Sequence, residues 1–96
     1  MRIKEGYMIN KLGDGYVVVT VGDASREFNG LIRLNDTGAF LWESVLNGLD
    51  TKKKLTQAMM NYYDDLDEEE AEKDLAEFLE MIAFAIEEGE RLDGGK

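Results

Sequence analysis

The chain has 96 residues, contains neither cysteine nor histidine, and carries 21 acidic against 11 basic side chains, a net charge of −10. That length fits one domain with a modest core. The missing residue types exclude a disulfide framework, thiolate chemistry, and the commonest general base and transition-metal ligand.

The N-terminal stretch MRIKEGYMIN lacks the apolar run of a signal peptide. No segment approaches the ~18 apolar residues of a membrane span. A cytoplasmic protein with no membrane partner is therefore expected. The negative field would repel a phosphate backbone, so no nucleic-acid partner is expected either. From Asp64 onward acids far outnumber Lys73, Arg91 and Lys96, so a charge-sensitive surface belongs to the C-terminal half.

In chain order, Tyr7–Leu12 and Tyr16–Val21 flank Gly13-Asp14-Gly15, which reads as a hairpin. Both faces of the second run are apolar, as suits a strand inside a sheet. The polar stretch from Gly22 to Asn29 reads as a loop, and Gly30–Leu34 as a third strand. A first helix is predicted from Asp36 to Leu46, capped by Asn35 or Asp36, with Leu41, Trp42, Val45, Leu46 and then Leu49 on one face. A second runs from about Asp50 or Thr51 to Tyr63, with Leu55, Ala58, Met59 and Tyr62 at helical spacing and Lys52, Lys53 and Lys54 opposing the dipole. A third starts at Asp67, where Glu70 completes a capping box, and continues to about Glu88 before Gly89 stops it. Its stripe is Ala71, Leu75, Phe78, Leu79, Ile82 and Ile86, with Met81 at the margin and Phe84 opposite. Residues 1–96 are read as a single domain whose tail, 90–96, is expected to be disordered.

Little here suggests catalysis. The acidic run Asp64–Asp74 alternates like a calcium loop at first, but Glu70 takes the place of the turn glycine and Ala76 that of the closing glutamate. Acids at a helix start are favoured by the dipole alone. The serines and threonines have no histidine to activate them, and no glycine loop has phosphate-cradling spacing. Neither an enzyme, a metal nor a cofactor is expected. The third strand has two open readings: Leu31, Ile32 and Leu34 as plain core, or an edge whose backbone another chain completes.

The stretch FNGLIRLNDTGAFLWESVLNG (Phe28–Gly48) combines a short strand ending in Leu-Asn, an acid, Thr-Gly and an apolar helix with Trp42. It is followed by a helix around Leu55, and then by Asp74 spaced from Phe78-Leu79 as Asp–x–x–x–Phe-Leu. In this ordered set the chain resembles the small peptide chaperones typified by pyrroloquinoline quinone synthesis protein D (PqqD), over nearly everything after Tyr7. The resemblance implies an α+β, winged helix-turn-helix-like domain, a three-stranded antiparallel sheet followed by three helices. It implies a non-catalytic module that binds the leader of a ribosomally made precursor peptide and presents it to a modifying enzyme, such as a radical S-adenosylmethionine enzyme of the SPASM type. The leader would add as a strand beside Leu31, Ile32, Arg33 and Leu34, in a groove shared with Leu75, Phe78, Leu79 and Ile82. Whether the product is the quinone or another modified peptide is left open by the basic start of the second helix and the polar 22–29 stretch.

Two other readings share the architecture. A winged-helix nucleic-acid binder would need basic groups on an exposed recognition helix, and the third helix is acidic. A dimeric adaptor would use the off-stripe Phe84 and Met81 against a second copy of the chain.

Overall fold

The computed structural model describes residues 1–28 and 30–87. A short strand β1 (Arg2–Ile3) precedes a hairpin of β2 (Tyr7–Leu12) and β3 (Gly15–Thr20). One helical turn, α1 (Ala24–Glu27), leads to β4 (Ile32–Leu34). Then come α2 (Asp36–Leu46), α3 (Lys52–Tyr62) and α4 (Glu68–Met81), a 3-10 turn (Ala83–Ala85) and β5 (Ile86–Glu87). The fold is α+β, with a three-stranded antiparallel sheet in the order β2-β3-β4 followed by three long helices.

The hairpin closes through Gly13 and Asp14, because Leu12 pairs with Gly15. Gly13 adopts φ 62°, the positive value that a two-residue loop needs to match strand twist. β3 is the central strand, which explains why both of its faces are apolar. Tyr16 and Val18 share the inner face with Ile32 and Leu34, while Val17 and Arg33 pair on the outer one.

The helix starts follow local chemistry. Asn35 caps α2 by accepting from the Gly38 N–H at 2.8 Å, and Thr51 caps α3 by accepting from Lys54. Asp67 and Glu70 form the expected reciprocal box on α4. The core gathers Trp42, Leu41, Leu55, Met59, Ile82 and Val18, all fully buried. Leu46 and Tyr62, expected on buried faces, are exposed instead. Tyr62 stacks on Phe40 with ring centroids 4.5 Å apart.

Three expected boundaries are corrected. The polar stretch after Val21 is not all loop: α1 forms there because Ala24 is buried beside Gly6. The third strand is shorter than Gly30–Leu34, with Leu31 outside it. The last helix ends at Met81 rather than near Glu88. A continued helix would carry Phe84 away from the core. The 3-10 turn instead buries Ala85 and lays Phe84 on Phe28, ring centroids 4.3 Å apart, and near Tyr7 at 5.6 Å. The chain then pairs Ile86 with Ile3, a second small sheet that periodicity did not announce. The predicted stop at Gly89 and the 90–96 tail lie outside the described residues.

Candidate functional site

β4 is an edge strand. Its inner edge pairs with β3, and among the described residues its outer edge pairs with no strand. The strand is only three residues long because Asn35 leaves it to cap α2. Gly38, in the first turn of α2, lies so close to Leu34 that a Cβ built there would be 3.2 Å from Leu34 Cβ. That close approach brings the start of α2 down against the end of β4.

α4 supplies the opposite wall. Between the β4–α2 joint and α4 lies an open groove of about 590 Å³, lined by Arg33, Leu34, Gly38 and Leu41 on one side and by Asp74, Glu77, Phe78 and Met81 on the other. Leu34, Leu41 and Phe78 are buried and form an apolar floor. Met81 is 47% exposed and stands at the rim. Four carboxylates, Asp14, Asp36, Asp74 and Glu77, line the same groove against one cation, Arg33. None of the four is in an ion pair among the described residues. Nor does that part of the chain contain a group of three or more potential metal ligands. An unpaired backbone edge, an apolar floor and a charged rim can recognise an extended chain.

The eight expected site residues divide. Arg33, Leu34 and Phe78 line the groove. Ile32, in the edge strand, is half-buried against the core, and Leu31, just before it, is 57% exposed. Leu75 and Leu79 line a different cavity of about 530 Å³ between α3 and α4, together with Lys52, Lys53 and Met60. Ile82 is fully buried in the core. The groove also uses Leu41, Asp74, Glu77 and Met81, which sequence reasoning did not place there. Their signal was the spacing Asp74, Glu77, Phe78, Met81, which puts all four on one helix face beside the core stripe.

The family model described as coenzyme PQQ synthesis protein D (PqqD) matches residues 15–83, from β3 through α4 and so across both walls of the groove. Among solved structures, "TbiB1 in Complex with the TbiA(beta) Leader Peptide" matches with a TM-score of 0.68 and 20% identity. The match covers 88% of this chain and 90% of that chain, a likeness of fold. No curated protein matches.

Proposed function

The chain belongs to the PqqD family, and from that premise we propose that it binds the leader of a ribosomally made precursor peptide by strand addition and presents it to a modifying enzyme. The carrying observation is the outer edge of β4, unpaired among the described residues, standing beside an apolar-floored groove. A similar fold solved in complex with a leader peptide supports the reading.

In this reading the backbone of Ile32, Arg33 and Leu34 pairs with the peptide, and Leu31 extends that edge. Alternate peptide side chains descend onto Leu34, Leu41 and Phe78 beside Met81. Leu75, Leu79 and Ile82 hold α4 in place from its other sides. The protein itself is non-catalytic: the groove offers carboxylates and apolar groups but neither histidine nor cysteine. The 96 residues act as one recognition domain in the cytoplasm. The modifying enzyme is a radical S-adenosylmethionine enzyme of the SPASM type, or another peptide-modifying enzyme, as the family resemblance implies. Among the described residues no helix is long and apolar enough to cross a membrane.

The test is a titration of the 15N-labelled protein with the leader of a precursor peptide encoded beside its gene. The amides of Ile32–Leu34 and of the Asp74–Met81 face of α4 are expected to shift. Binding that left both unperturbed would overturn the reading.

A further inference from the structure

We propose that the groove selects a peptide carrying arginine or lysine two positions from an apolar anchor, and that Asp74 and Glu77 read the positive charge. This rests on the strand-addition reading and adds the class of peptide. Four carboxylates face one guanidinium in the groove, and none of them is neutralised within the described residues. An acidic segment entering there would meet like charges as it shed water, where their repulsion is least screened. The start of α2, which alone would attract an anion, has Asp36 as its first residue and its Gly38 N–H already occupied by Asn35.

Spacing supplies the pattern. Four residues along a helix advance about 6 Å, while same-face residues of a strand lie about 6.6 Å apart. A strand lying along α4 therefore places one side chain near Asp74 and Glu77 and its next same-face neighbour near Phe78 and Met81. The first position favours a cation, and the second an apolar group.

A displayed library of random dodecapeptides, selected on the immobilised protein, tests this. Selected peptides are then synthesised and measured against the 15N-labelled protein. Because the whole chain is acidic, a charge-matched control separates the groove from the general field: Glu69→Gln with Glu80→Gln, two exposed α4 acids outside the groove. The expected result is enrichment of Arg or Lys two positions from an apolar residue, with shifts at the β4 amides. Affinity should fall about tenfold for Asp74→Asn with Glu77→Gln and less than about twofold for the control. Peptides that shift β4 but show no basic enrichment, or that weaken equally in both double variants, overturn the charge selectivity and leave strand addition standing. If no selected peptide touches β4, both readings fall.

Discussion

Gly38 stands tightly against Leu34: a Cβ there would lie 3.2 Å from both Cβ and Cδ2 of Leu34 and 3.3 Å from the capping Oδ1 of Asn35, so these neighbours would have to move by a few tenths of an ångström. Leu34 is buried and Asn35 is committed to its cap, so neither yields freely. Overpacking costs about 1–3 kcal/mol, more than a first-turn alanine gains in helix propensity. Gly38→Ala should therefore lower stability by about 1 kcal/mol in urea denaturation and shift the Leu34 resonances. A variant as stable as the parent would show that Leu34 gives way.

Asn35 joins strand to helix, and its side chain satisfies one otherwise unpaired N–H of α2. Asn35→Ala should cost about 1 kcal/mol. Amide exchange should speed up in the first turn of α2 while α3 keeps its protection. Uniform acceleration would place the loss elsewhere.

Phe84 is half-buried against the core. Its ring lies on Phe28 and near Tyr7, so truncation removes apolar packing between Phe28, Tyr7 and the core. Phe84→Ala should destabilise by about 2 kcal/mol, less than for a fully buried ring. The Phe28 ring signals should move with it. A change in molecular mass without loss of stability would instead favour the dimeric adaptor.

Tyr7 titrates above the ordinary tyrosine value of 10.0, first because it is buried, then because the negative Glu27 lies close and accepts its hydroxyl hydrogen bond. Below about pH 10 the phenol is protonated in both folded and unfolded chains, and the contribution is fully present. As pH rises past that point the unfolded chain ionises first, so stability falls until the folded value is passed. Tyr7→Phe should lose less stability than the parent as pH rises above about 10. Parallel profiles would deny Tyr7 any share in the alkaline loss.

Met81 offers a way to weaken peptide binding without disturbing the fold. At 47% exposed, it lines the groove rim but adds little to the core. Met81→Asp should cost no more than about 1 kcal/mol, because it places an acid at the C-terminal end of α4. It should weaken a bound leader at least about fivefold, because an apolar contact is lost and a carboxylate must shed water against the peptide's apolar anchor. Unchanged affinity would remove Met81 from the contact surface.

Much of this fold was legible residue by residue. Gly13-Asp14 announced the hairpin, Asn35 or Asp36, Asp50 or Thr51, and Asp67 marked the helix starts, and Leu55, Met59, Ala71 and Phe78 revealed buried faces. Each signal is local, because a cap or a two-residue loop is completed within a few residues. The candidate site was only half legible for the same reason. Arg33, Leu34 and Phe78 were placed together, but Leu75 and Leu79 lie on the α3 side, and Asp74, Glu77 and Met81 were passed over. A helical stripe gives the direction of burial without saying which neighbour covers each flank.

By itself, then, the sequence determined the hairpin and the third strand in outline, the helix starts, the acidic character and the family likeness of this chain. Only the tertiary structure decided that β4 sits at the sheet edge, that α4 stops at Met81 so that Phe84 can reach Phe28, and that carboxylates gather beside Leu34. Those outcomes depend on contacts between residues dozens of positions apart. Local hydrogen bonding and periodicity favour the elements but are indifferent to how they are brought together.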